Sequence, residues 1–247
     1  MNRKEFSDSF TVLLNSYARG AGFGEQSSVT DIILDEYEKS VFLTKAQNDI
    51  VIELYNGTNK LSKGFEETEE LRRYLDPLVA TKIEQQITIP EESNIKKVSK
   101  NSCFFELPPD LLFITLEQVN IEDEDCKYTS TITVVPTAQD SYSRIKNNPF
   151  KGPTKYRALR LDCGSGVVEI IPPEGKTIES YLVRYLREPK PIILENFKDQ
   201  DLYIGEEHGS DDSEVCELNS ALHNLILERA VYLALQYKGI SLSRDNK

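Results

Sequence analysis

The strongest helical periodicities in this chain lie near its two ends, and nearly every stretch with strand-like alternation lies between them. Near the C-terminus, residues 217–237 carry apolar side chains on two arcs. Leu218, Leu222, Leu225, Ile226 and Leu233, with Arg229 among them, recur at helical spacing on one; Leu227, Ala230, Val231, Ala234 and Leu235 lie on the other. Both arcs together predict a helix covered nearly all round in its second half, by the N-terminal helix or by a neighbouring subunit. Ser213 or Asn219 is the expected N-cap and Gly239 the expected stop. The matching element is residues 31–56. Leu43, Ala46, Ile50 and Leu54 form one stripe there, and Leu34, Tyr37, Val41, Ile52 and Tyr55 a second on roughly the opposite side. A two-striped helix either lies deep in its own fold or packs between subunits. Ser27, Ser28 or Thr30 is expected to cap it, and Gly57-Thr58-Asn59 to end it.

Before this helix, Phe6, Phe10, Leu13, Leu14 and Tyr17 give a short helical pattern, followed by a Gly- and Ser-rich loop. After it, residues 65–75 read as a third helix, stopped by Pro77. From about residue 80 the period becomes two. Strands are expected at 82–89, 102–107, 112–121, 127–135, 157–162, 167–171 and 178–186, with 192–194 pairing on the last. Leu107-Pro108-Pro109-Asp110 is a turn, and Cys163-Gly164-Ser165-Gly166 makes a hairpin. Residues 137–146 are a short helix or turn, and 147–153 a stiff loop presenting the ring of Phe150. Residues 195–215 are a polar acidic loop, and 241–247 a polar tail. The fold class is α+β: a helical domain from residues 1–79 plus 214–247, with a β-rich domain, residues 80–213, inserted between.

The chain carries 41 acidic against 29 basic residues, a net charge of −12. Affinity for nucleic acid rests on neutralising phosphates, so this chain is not built to grip DNA alone. Carboxylates lining a channel would instead surround DNA without holding it. No apolar run is long enough to cross a bilayer, and no signal-peptide core follows Met1, so cytoplasmic synthesis is expected. Cys103, Cys126, Cys163 and Cys216 lack the close spacing of zinc sites and read as reduced, mostly buried thiols.

Catalytic patterns are missing. Gly20, Gly22 and Gly24 follow no strand and lack nucleotide-loop spacing, and no nucleophile elbow is present. His208, with Glu206, Glu207, Asp211 and Asp212, offers ligand types for a hydrolytic metal site, but loop spacing gives no fixed geometry and a flexible acidic loop is the simpler reading. Glu122-Glu124 and the neighbouring aspartates lack the EF-hand pattern. His223 reads as a structural histidine early in the closing helix. Arg157, Arg160, Arg184 and Arg187 are candidates for subunit-bridging bonds to carboxylates.

Four blocks carry a family likeness: residues 34–47 (LDEYEKSVFLTKAQ); 148–153 (NPFKGP) with 158–161 (ALRL); 181–194 (YLVRYLREPKPIIL); and Cys216-Glu217-Leu218 with Leu222-His223, Ile226 and Arg229-Ala230-Val231. In this order and spacing they resemble the ring, or stump, proteins of crAss-like tailed bacteriophages. Those in turn look related to the head–tail adaptor (tubular) proteins of short-tailed phages. The resemblance implies a virion structural protein with a helical domain from both chain ends and a β-rich domain between. It implies a homo-oligomeric head–tail connector ring, usually of twelve copies, below the portal protein or below another ring, with the portal or adjacent ring and tail proteins as partners. Double-stranded DNA would pass through the channel, with no catalytic residue, cofactor or metal and no membrane. On this reading Tyr37, Val41, Leu43, Ala46, Ile50, Leu227, Ala230 and Val231 serve helical packing and ring contacts. Asn148, Pro149 and Phe150 form a docking loop, unless Phe150 is buried locally. Two other readings compete: an assembly chaperone absent from finished particles, and a metal-dependent hydrolase using the acidic loop.

Overall fold

A computed structural model of the chain describes residues 1–20, 31–59, 62–88, 96–123, 128–195 and 215–240. These form a mixed α+β fold. The helices are α1 (Arg3–Gly20), α2 (Glu36–Asn56), α3 (Glu69–Leu75), α4 (Gln139–Ile145) and α5 (His223–Tyr237). The strands are β1 (Val79–Glu84), β2 (Cys103–Glu106), β3 (Leu111–Asp123), β4 (Thr129–Pro136), β5 (Arg157–Gly164), β6 (Val167–Ile171) and β7 (Lys176–Arg187). The chain separates into two compact units, Met1–Leu78 with Pro189–Lys247, and Val79–Glu188.

In the first unit α5 packs against both α1 and α2. Its buried face is a single stripe of His223, Ile226, Leu227, Ala230, Val231, Ala234 and Leu235, at the three- and four-residue steps that keep side chains on one side of a helix. Leu225 and Tyr232 are exposed. Of the first expected arc, Leu218, Leu222 and Ile226 are buried with the second, Arg229 and Leu233 are half-buried and only Leu225 is exposed, so the helix is not wrapped all round. Asn219 supplies the cap: its side chain accepts a bond from Ala221 N at 3.0 Å, opening a 3-10 turn (Ser220–Leu222) that leads into α5. The other expected cap, Ser213, lies outside the described residues. Gly239, at φ 76°, stops the helix with its N–H on Gln236 O.

Helix α2 starts later than its periodicity suggested. Asp35 caps it in a reciprocal box: Asp35 Oδ1 accepts from Glu38 N at 2.7 Å and Glu38 Oε2 from Asp35 N at 3.2 Å. The expected caps Ser27, Ser28 and Thr30 lie outside the described residues. Residues 31–34 are not helical; Asn15 of α1 holds the backbone of Ile32, accepting from its N–H at 2.7 Å. Gly57 ends α2 in the left-handed conformation, φ 77°. Leu43, Ala46, Ile50 and Leu54 are buried together with Lys39, Ser40, Gln47 and Val51.

The polar members of that stripe hold a strap. Ser40 Oγ accepts from Leu194 N at 3.0 Å, Thr44 Oγ1 accepts from Ile192 N at 3.1 Å, and Gln47 Nε2 donates to Lys190 O at 2.8 Å. The sequence suggested a strand at 192–194 paired with 178–186. No strand forms there, because β7 is already flanked by β1 and β3, and the backbone of 190–194 bonds to helix side chains instead. The strap thus belongs to the helical unit.

The second unit is one seven-stranded sheet in the order β1-β7-β3-β4-β5-β6-β2. All neighbours are antiparallel except β4 and β5, which are joined through α4 as a parallel crossover must be. The sheet curls strongly. Phe105 on the edge strand β2 and Tyr181 on β7 have ring centroids 5.2 Å apart. Five strand spacings of about 4.8 Å would separate them in a flat sheet. One face therefore closes on a core of Phe105, Val119, Ile121, Ile132, Val168 and Tyr181, among others. On the other face Tyr142 of α4 covers Leu159, Leu161 and Ile171. The Pro108-Pro109 turn does not join paired strands; it carries the chain from β2 at one edge to β3 inside the sheet. The β5–β6 hairpin forms as expected, with positive φ at both central residues, Ser165 and Gly166.

Candidate assembly surface

The most exposed aromatic in the second unit stands on a loop the chain has made rigid. Phe150 is 85% exposed. Asn148 Oδ1 accepts from the N–H groups of Phe150, at 2.8 Å, and Lys151, at 3.2 Å, and Asn148 O accepts from Gly152 N at 2.7 Å. Pro149 fixes its own φ between them. Arg157, at the start of β5, donates to the carbonyls of Phe150 and Gly152. Gly152 is needed sterically: a Cβ there would stand 2.7 Å from Asn148 O and 2.9 Å from Ile145 O and Lys146 O. The sequence reading weighed local burial of Phe150 against presentation, and the ring is presented.

Phe150 does not stand alone. With Pro149, Val135, Tyr156, Lys155 and Arg157 it borders a shallow depression beside β4. Tyr156 is 71% exposed, and the Lys155 ammonium lies 4.9 Å from its ring centroid. The sequence reading missed Tyr156 and Val135. The strand alternation of β4, with Ile132 and Val134 inward, is the signal that puts Val135 outward.

The helical candidates divide by burial. Leu43, Ala46, Ile50, Leu227, Ala230 and Val231 lie in the core of the first unit. Val41 is 38% exposed, and Ile52, three helical turns on and on the same line, 41%. Tyr37 is half-buried. Leu34 is buried and Tyr55 stacks on Phe65, so the open flank of α2 is only the part of the second stripe at Val41 and Ile52.

Two of the four arginines, Arg157 and Arg160, bond within the chain. Arg160 Nη1 lies 2.7 Å from Glu117 Oε2, and its Nε 3.2 Å from Asp162 Oδ1. The Tyr181 hydroxyl donates to Glu117 Oε1. Burial, then the Glu117 charge, pushes the Tyr181 hydroxyl far above its ordinary pKa, so it stays a donor. Arg157 holds the loop, and Arg184 Nε reaches Thr81 Oγ1 at 3.3 Å. A second buried carboxylate, Glu169, accepts from Val98 N at 2.8 Å and from the Ser102 hydroxyl.

His223 is buried, with Nε2 3.2 Å from Leu218 O and its ring 5.4 Å from that of Phe6. Cys216 is buried against Gln47 Oε1. Cys103 and Cys163 are only half-buried, against the expectation of mostly buried thiols, yet burial still pushes both thiols up and keeps them poor nucleophiles. Among the described residues no three His, Cys, Asp or Glu side chains are placed to hold a metal ion, and no helix is long and apolar enough to cross a membrane. His208 and its acidic neighbours, the glycines at 22 and 24, Cys126 and the acidic residues 124–125 lie outside the described residues.

The likeness to known proteins runs through both units. The family described as "Phage tail ring protein 3/4" matches residues 1–246. "Ring protein 3" of Bacteroides phage crAss001 is 44% identical over 238 residues, covering 95% of each chain. "Ring protein 4/5" of the same phage is 34% identical over 240 residues, covering 95% of this chain and 92% of its own. The chain therefore belongs to the phage tail ring protein 3/4 family of crAss-like bacteriophages.

Proposed function

We propose that this chain is a structural component of the virion that assembles as a ring in the connector between head and tail. Copies close by rotation, twelve being the number the resemblance implies, below the portal or below another ring, and the genome passes through the central channel during packaging and ejection. The observation that carries this reading is the extent of the likeness to two phage ring proteins, 95% of the chain in each case. The distribution of polar groups supports it. The buried Arg160–Glu117 pair and His223 are bonded within the chain, as suits a building block without turnover. The open flank of α2 at Val41 and Ile52, with Tyr37, suits contact between copies, and the Asn148–Phe150 loop suits docking on a neighbour. A heterologous, head-to-tail contact repeated by rotation closes a ring. The net charge of −12 suits a wall along which DNA slides without sticking.

The test is quantitative mass spectrometry of purified particles, scoring this chain against the portal protein. A stoichiometric ratio near one to one is expected. Absence from finished particles would sink the ring reading in favour of an assembly factor.

A further inference from the structure

We propose that the loop of residues 144–157 is the cationic half of a head-to-tail contact, and that its occupant is the acid-rich surface of a second copy of this chain. The proposal rests on the ring reading above and names the partner of the docking loop.

The first argument is charge. Arg144, Lys146, Lys151, Lys155 and Arg157 are five basic residues within fourteen, and the same fourteen contain no acidic residue. Without these five the chain carries 24 basic against 41 acidic residues, a net of −17. Two copies brought together repel through that excess unless the contact sets opposite signs against each other. An isologous contact through this loop would face five cations with five cations. A heterologous contact puts the loop of one copy on the acidic remainder of the next, and repeats the match at every step of a ring.

The second argument is shape. Lys155 and Arg157 border an apolar centre of Phe150, Pro149 and Tyr156 beside Val135. A desolvated aromatic anchor with a charged rim is the composition of a protein contact. DNA phosphates would engage the cations but offer the Phe150 ring nothing to fill, since duplex bases are stacked. The third argument is rigidity. The bonds from Asn148 and Arg157 hold the tip before any partner arrives, so little ordering cost remains to be met on docking.

The experiment places the photoreactive amino acid p-benzoylphenylalanine at position 150 of the full chain and irradiates assembled particles. The expected product has twice the mass of the chain and contains peptides of this chain alone. A cross-link to a different virion protein or to DNA, or no cross-link at all, overturns the proposal. Counting copies of the chain in the same particles tests the ring reading separately: a full ring without a 150-to-copy cross-link removes only this proposal. As a second measurement, Lys151→Glu with Lys155→Glu weakens self-association of the purified chain at least tenfold and reduces its salt dependence, with the melting temperature unchanged. Self-association equal to that of the parent chain would also overturn it.

Discussion

Ser40, inside helix α2, accepts a hydrogen bond from the backbone N–H of Leu194, 154 positions later, at 3.0 Å. The same hydroxyl donates to Glu36 O at 2.7 Å, so it both satisfies itself and holds the strap that returns from the β-rich unit. Ser40→Ala leaves the buried Leu194 N–H without a partner and is expected to cost about 1–3 kcal/mol. Gln47→Leu removes the donor to Lys190 O and the acceptor for Cys216 and should cost at least as much. Urea unfolding followed by tyrosine fluorescence, undisturbed in a chain with no Trp, measures both. Losses below about 0.5 kcal/mol would show that the strap is held by apolar packing alone.

The buried Arg160–Glu117 pair predicts strong coupling. Arg160→Met alone strands the Glu117 carboxylate in the sheet core and should destabilise the chain by about 3–5 kcal/mol. Replacing both, Arg160→Met with Glu117→Leu, removes the stranded charge, and the double variant should be more stable than the Arg160 variant. A double-mutant cycle by denaturation measures the coupling. Additive losses would mean that the two side chains act independently.

Alkaline pH is expected to destabilise the fold through its buried tyrosines. Burial, then the bond to Asp110, pushes the Tyr185 hydroxyl up to about 12, and Tyr181 is shifted further the same way. An unfolded tyrosine ionises near 10. Between pH 10 and 12 the unfolded chain therefore binds fewer protons than the folded one, and stability falls as pH rises. Below pH 10 these groups are neutral in both states and contribute no slope. Melting temperature measured from pH 8 to 12 should be flat and then fall, and Tyr185→Phe should make the fall shallower. An unchanged slope in that variant would rule out Tyr185 as a source.

The two stripes of α2 should separate folding from assembly. Leu43→Ala opens a cavity in the helical core and should cost about 2–5 kcal/mol. Val41→Asp with Ile52→Asp removes only part-buried side chains on the open flank and should cost about 1–2 kcal/mol per site, less than the core cavity. If that flank contacts a neighbouring copy, the double Asp variant folds but is not incorporated into particles. Thermal melting alongside particle composition decides it, and normal incorporation would remove α2 from the contact.

Local pattern by itself determined which segments form which elements. The apolar spacing of Leu43, Ala46, Ile50 and Leu54 fixed the buried face of α2, alternation marked β3, β4 and β7, and Gly164-Ser165-Gly166 marked the hairpin of β5 and β6, because each signal rests on near neighbours along the chain. Asn148-Pro149-Phe150 was legible as a stiff presenting loop for the same reason. Tertiary structure decided the rest. Ser40, Thr44 and Gln47 read as ordinary polar helix residues until Lys190–Leu194 comes to lie against them. Ile192–Leu194 read as a strand because its composition is that of one, yet its backbone groups bond to side chains from far away. The split of α2 and α5 into covered and open flanks needed α1, α2 and α5 in place together. Periodicity says which side chains share a face. Only the packed partner says whether that face is core, strap or open surface.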